Sequence, residues 1–250
     1  MYIVELNYPG SFLELNNHEL NFEIGGMLGH LEGVVIEAAI SLSMFEASLE
    51  QNIDYRKEQE RDDKLRCEID KEIQAEFGEN YYQNFDKFRL MSERRLRARK
   101  AELGIIPITY LGKLPFIHAH TFVYAVDSFG KFLEELKAYD GMPEQVSHCV
   151  EEFNRLLPTV RKIRNSAMHI EDRSRGYGPL WDKKKGKKMD LQGFLGISNL
   201  QGNSLCYTIE DGSYQQVEVS VRVLNILVQL ANFLLASFRW SGSARISPTY

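Results

Sequence analysis

The chain has few cysteines, no recognisable leader and no excess of positive charge, and each absence removes a class of protein. Its three cysteines, Cys67, Cys149 and Cys206, lie far apart with no C-x-x-C pair. An odd, sparse set is not a disulfide framework, and it fits a reducing compartment. The first ten residues lack a basic stretch followed by an apolar run, so no secretory leader is expected and a cytoplasmic location is. The net charge is -5. A protein coated in positive charge is therefore excluded, and any contact with nucleic acid must use a local basic patch. There is no internal repeat, and no nucleophile-elbow signature for Ser/His/Asp chemistry.

What is present suits a folded helical protein. Apolar residues make up 44% of the chain, enough for a core, and charged residues 26%, an ordinary share. Two apolar stretches invite a membrane reading. Residues 27–45 carry His30, Glu32 and Glu37, and residues 221–240 carry Arg222, Asn225, Gln229, Asn232 and Arg239 at spacings of three or four or more. A narrow polar stripe of this kind marks a core helix of a soluble protein, so no membrane partner is expected.

Along the chain, a short strand is expected at residues 2–6, a turn at Pro9-Gly10, and a helix from about Asn21. Gly26, Gly29 and Gly33 fall at helical spacing beside Ala38 and Ala39, a small-residue face against which another helix can pack closely. About half of residues 51–103 are charged, with both signs mixed, which predicts solvated helices with a break at Gly78-Glu79-Asn80. This segment ends in Arg94, Arg95, Arg97, Arg99 and Lys100. Such a basic end either complements the helix dipole or contacts an RNA backbone. Pro115 opens a helix running to about Tyr139, and Asp140-Gly141 ends it. Pro143 opens another that reaches about Arg173, with Pro158 kinking or splitting it. From residue 191 to 220 the period changes to two, with Gly202-Asn203 and Asp211-Gly212 as turns, which predicts a two- or three-stranded meander. An apolar helix from Val221 closes the fold. The expectation is one mainly α domain over residues 1–250, with a charged helical extension at 51–103 and an antiparallel β insertion at 191–220.

The helix around residue 165 carries the chemistry. Val160, Ile163, Ala167 and Ile170 define its buried face. At about 100° per residue, Arg161, Asn165, His169 and Asp172 fall on the opposite face, with Arg164 at the border. A histidine turned from its own core is either solvated, with Arg164 pairing Glu171 or Asp172, or part of a site completed by something else.

The run Arg164-Asn165-Ser166-Ala167-Met168-His169 resembles the R-x4-6-H signature of the HEPN superfamily, in which a polar residue, often asparagine, follows the arginine. The resemblance covers the helical core, residues 22–175 and 221–240. It leaves the charged helices and the strands unexplained. It implies a helical bundle, and for many members a metal-independent ribonuclease of toxin–antitoxin or antiviral systems. Such members dimerise so that two motifs share a cleft. On this resemblance Arg164, Asn165 and His169 are the catalytic set, RNA is the substrate, no cofactor is needed, and a homodimer is expected, with an antitoxin or regulatory protein as a further partner. The alternative is a non-catalytic HEPN module that binds a nucleotide or a protein.

The residue chemistry suits RNA cleavage. The ribose 2′-OH must lose a proton, and histidine, with an ordinary pKa of about 6.5, exchanges one near neutrality. Arginine grips phosphate oxygens with two donors. Asn165, one turn before His169, can orient the imidazole or donate to phosphate. The products would be a 2′,3′-cyclic phosphate and a 5′-OH. Lys183, Lys184, Lys185, Lys187 and Lys188 follow in a glycine-rich loop at residues 174–190. They are candidate RNA contacts through counterion release, with Tyr177 and Trp181 as stacking surfaces. His118 and His120 point about 200° apart on a helix and cannot share a metal, so no metal site is expected. His120, Tyr124 and Asp127 share a helical face that could line a cleft.

Overall fold

The computed structural model describes residues 1–15, 17–50, 54–78 and 84–249. The protein is mainly helical with small antiparallel β-pairings. The helices are α1 (His18–Leu49), α2 (Tyr55–Phe77), α3 (Phe85–Glu102), α4 (Ile108–Leu111), α5 (Leu114–Lys137), α6 (Glu144–Leu156), α7 (Val160–Met168), α8 (Ile170–Arg173), α9 (Leu180–Lys184) and α10 (Val221–Ser237). The strands are β1 (Leu6–Tyr8), β2 (Phe12–Leu13), β3 (Asn199–Gln201), β4 (Ser204–Thr208), β5 (Tyr214–Glu218), β6 (Trp240–Ser241) and β7 (Arg245–Ser247). By contacts the chain forms two units, Met1–Ala47 with Pro115–Tyr250, and Ser48–Leu114.

The larger unit is built on the apolar faces of α1, α5, α6, α7 and α10. Leu28, Leu31, Val35 and Leu42 of α1 are fully buried, as are Phe122, Val126, Phe129 and Leu133 of α5 and Leu227 and Leu234 of α10. α1 also has the length and apolarity of a membrane span, and half of its most apolar stretch is buried in the fold. Ser220 caps α10 by accepting from the Val223 amide at 3.4 Å, the role a short hydroxyl plays at a helix start. The prolines act as expected. Pro143 sits at the α6 N-cap, and around Pro158 the helix splits into α6 and α7.

Residues 199–218 form a three-stranded antiparallel meander, β3-β4-β5, in which Leu205 faces Val217. Tyr207 of β4 is fully buried.

The N-terminal strand begins at Leu6 rather than Tyr2, and it pairs with β7 at the far end of the chain, with Leu6 opposite Ser247. β2 likewise pairs with β6. Strands are therefore not confined to the N-terminus and residues 191–220. Pairings two or three residues long carry no period that a sequence could reveal. Among the described residues, the glycine face of α1 receives no helix. A Cβ built at Gly26, Gly29 or Gly33 meets nothing within 4 Å among the described residues. That face lies out of phase with the buried row from Leu28 through Leu31 and Val35 to Leu42.

In the Ser48–Leu114 unit, α2 and α3 enclose a small core of Ile69, Ile73, Phe88 and Leu96. Asp54 caps α2 by accepting from the Lys57 amide at 3.1 Å. Gly78 ends it with a positive φ of 55°. Glu79 and Asn80, the rest of the expected break, lie outside the described residues. Ion pairs cross between the helices at Arg66–Glu93, Arg95–Glu76, Arg99–Glu72 and Lys100–Asp62. The mixed charge of this segment is thus partly used within the hairpin.

Candidate active site

The motif helix stops one residue before its histidine. α7 ends at Met168, and His169, with φ -115° and ψ 40°, separates it from the single turn of α8. This break rotates everything after it. Val160 and Ile163 are buried as the period requires, but Ile170 is exposed and Asp172 is buried. The outward face predicted for Arg161, Asn165, His169 and Asp172 therefore fails at Asp172. His169 itself is exposed, with a side chain 60% accessible and Nδ1 3.9 Å from Oε1 of Glu171.

Arg164 does not pair with Glu171 or Asp172. Its Nε lies 3.3 Å from Oδ2 of Asp127, and its Nη1 donates to Oδ1 of Asn165 at 3.1 Å. Asp127 is 2% exposed and is the charge centre between α5 and α7. Its Oδ1 accepts from Arg161 Nε at 3.2 Å, and Lys131 Nζ lies 2.9 Å from its Oδ2. Arg161 reaches on to Glu134 at 2.8 Å. The buried Asp127 carboxylate, shared by three cations, holds the Arg164 guanidinium, whose side chain is 29% exposed. Oδ2 has an ammonium and a guanidinium within ion-pair range, yet it forms no aligned hydrogen bond.

The polar seam continues along α5. His120 Nε2 lies 2.7 Å from the Tyr207 hydroxyl. Its ring stacks on Tyr124 at 6.2 Å between centroids. Burial pushes the His120 pKa down. Burial raises the Tyr124 pKa, and the Arg164 charge opposes that rise. Burial also raises that of Tyr207, against a hydrogen bond from Ser198. Ser198 is the one non-glycine residue with positive φ, 50°, among those described. His120, Tyr124 and Asp127 do share a face, and that face runs beside Arg164. Arg161, Lys131 and Glu134 belong to the same network. The spacing of 127, 131 and 134 on one helix against 161 and 164 on another was the available signal.

The lysine segment is anchored. Asp172 accepts from Arg175 at 2.6 Å and holds Lys183 Nζ at 2.6 Å. Lys183 first, and Arg175 with it, keep the Asp172 carboxyl below its usual range. Arg173, 3% exposed, donates to the Tyr177 and Gly178 carbonyls at 2.8 and 2.6 Å and to Ser166 at 3.3 Å. Lys188 lies 3.9 Å over the Tyr177 ring and donates to the Arg175 carbonyl. Of the five lysines, Lys183 and Lys188 therefore have partners in the fold, and Lys184, Lys185 and Lys187 are exposed. The Trp181 side chain lies outside the described residues.

Cavities of about 440 to 700 Å³ occur elsewhere, and none of the four described is lined by Arg164, Asn165 or His169. One metal-type donor group exists among the described residues. Ligand atoms of His169, Glu171 and Asp172 lie within 4.8 Å of one another. Oδ1 of Asp172 is already used by Lys183 and Arg175.

No family model, curated protein or solved structure matches the chain. The site thus rests on its own geometry and on the motif.

Proposed function

We propose that this protein is a metal-independent endoribonuclease with a HEPN-type site, cytoplasmic and dimeric, acting as a toxin or antiviral effector. The observation that carries the reading is a held guanidinium and an exposed imidazole within one short motif. Arg164 is held by the buried Asp127, while His169 stands exposed at the helix break five residues on. The held arginine suits a phosphate clamp, because its orientation costs no further ordering. The exposed imidazole suits proton transfer at the ribose 2′-OH. Asn165, bonded to Arg164, keeps its amide nitrogen for a phosphate oxygen or for the imidazole.

A second copy supplies the other wall of the cleft. Met168 and Ile170, which flank His169, are both exposed apolar side chains, as expected for a surface that another protomer covers. An antitoxin or other regulatory protein would act by competing for the same surface.

One observation favours a second reading, a non-catalytic HEPN module for a nucleotide or protein. Both the Nε and Nη1 of Arg164 are already engaged within the fold. The deciding experiment incubates the purified protein, His169→Ala and Arg164→Ala with mixed cellular RNA in EDTA. Wild type should cut and leave cyclic phosphate ends. His169→Ala should cut at least about a hundredfold more slowly in single turnover. Arg164→Lys should rescue little, since a point charge does not reproduce a two-pronged grip. Equal cleavage by wild type and His169→Ala would remove the assignment, and no cleavage by any form would favour the binding module.

A further inference from the structure

The two long helices of Ser48–Leu114 divide their charge unevenly. α2 carries eight carboxylates and six cations, whereas α3 carries seven cations and three carboxylates. Arg95, Arg99 and Lys100 of α3 are taken up by Glu76, Glu72 and Asp62 of α2. Three arginines of α3 are not. Arg89, Arg94 and Arg97 are exposed and make no ion pair with a described residue. Together with Leu90 and Glu93 they line one groove of about 540 Å³. At about 100° per residue the five side chains fall within a sector of about 140°, and Arg89 to Arg97 spans about 12 Å of helix.

Glu93, the one carboxylate in this groove, is already used. It is bound by Arg66, and its carboxyl is held below the usual range first by that contact and further by the charges of Arg97 and Arg89. The groove therefore presents surplus positive charge in a chain whose net charge is -5. An acidic protein that captures a polyanion must do so through such a local face. Guanidinium forks match phosphate oxygens in pairs, and Leu90, 54% exposed between them, offers an apolar seat for a sugar or base edge.

We infer that the Arg89/Arg94/Arg97 face is a binding track for the phosphodiester backbone of single-stranded RNA, separate from the Arg164–His169 motif. The inference rests on RNA as the ligand of the protein and deepens that reading by naming where the strand is held. It also separates the basic end of the charged segment into two roles. Arg95, Arg99 and Lys100 bind the hairpin together, and Arg89, Arg94 and Arg97 face outward.

The test uses the full chain carrying His169→Ala, so that the probe stays intact, and a fluorescent twenty-nucleotide uridine oligomer. Affinity is measured across a salt series. Adding Arg89→Gln, Arg94→Gln and Arg97→Gln together should weaken binding at least tenfold at low salt. It should also reduce the log–log salt slope by about two, the share of three single-strand phosphate contacts. Arg95→Gln with Arg99→Gln should change affinity less than about twofold. Circular dichroism checks that each variant is folded. An unchanged affinity and slope in the triple variant would overturn the inference, as would a parent protein that binds no oligomer. A triple variant that loses binding to a poly-glutamate peptide but keeps the oligomer would assign the face to an acidic protein instead. Binding is read on a chain whose proposed base has been removed. A wild type that cleaves nothing, with groove-dependent binding intact, would therefore remove the nuclease reading and leave this one standing.

Discussion

The Nε of Arg164 lies 3.3 Å from a carboxylate oxygen of Asp127, and Asp127 is almost wholly buried. The motif arginine is therefore positioned by a different helix from the one that carries it. Asp127→Asn would keep the shape of the side chain and remove the charge that three cations share. Because those cations remain 29 to 43% exposed, water would relieve part of the loss. We expect a cost of about 2 kcal/mol, below that of breaking a fully buried pair. Thermal denaturation measures it. On the proposed nuclease reading, RNA cleavage should fall more than stability alone explains, because Arg164 loses its orientation. Wild-type cleavage by a folded Asp127→Asn would show that this contact does not position the clamp.

The same seam predicts a pH dependence. Burial lowers the pKa of His120, and the groups around its ring are the Tyr207 hydroxyl and the Tyr124 ring. The unfolded chain then takes up the proton first as pH falls. The stability that the neutral form contributes is complete above about pH 6.5 and is lost as pH drops through the lowered folded value. Between about pH 6.5 and 5, before most carboxylates titrate, the melting temperature of wild type should fall more steeply than that of His120→Gln. Parallel curves in that window would mean that His120 is not the group responsible.

Glycines with opposite surroundings give opposite expectations. At Gly130 an added Cβ would lie 2.3 Å from Cε1 of Phe153, a core ring that cannot retreat. Gly130→Ala should lower stability by about 1–3 kcal/mol despite its better helix propensity. At Gly26 the same Cβ meets nothing, and the exposed interior helix position should gain up to about 1 kcal/mol. Chemical denaturation of the two variants should give midpoint shifts of opposite sign.

The sequence disclosed those features that are local. Pro143 and Pro158 marked helix boundaries because the ring acts on its own turn, and the meander announced itself through its period and its two glycine turns. The β1–β7 pairing was hidden because its partners are about 240 residues apart and three residues long. The break at His169 was hidden because residues 159–175 contain neither glycine nor proline. Extrapolating the helical period through it put Ile170 inside and Asp172 outside, the reverse of their places. The motif is a local pattern that brings Arg164, Asn165 and His169 forward, but the network that holds Arg164 depends on residues more than thirty positions away. The shared face of His120, Tyr124 and Asp127 points toward it, as does the spacing of 127, 131 and 134 on one helix against 161 and 164 on another.

Asp172 joins the motif segment to the lysine-rich segment. One carboxylate, only slightly exposed, holds both Arg175 and Lys183. Asp172→Asn should release both cations and loosen the segment at residues 175–190, which Arg173 and Lys188 still hold at the Tyr177, Gly178 and Arg175 carbonyls. Limited trypsin digestion should then cut faster within that segment than in wild type, while the rest of the chain keeps its pattern. The lysines should separate into two classes in the same assay. Lys183→Ala should also speed cleavage there, because it removes a partner of Asp172. Lys184→Ala, Lys185→Ala and Lys187→Ala together should leave cleavage rates at the remaining sites near wild type, and should instead weaken RNA binding and flatten its salt dependence. If the triple variant binds RNA with an unchanged salt slope, the exposed lysines do not touch the strand. If Asp172→Asn leaves the digestion pattern as it was, the carboxylate is not what anchors the loop.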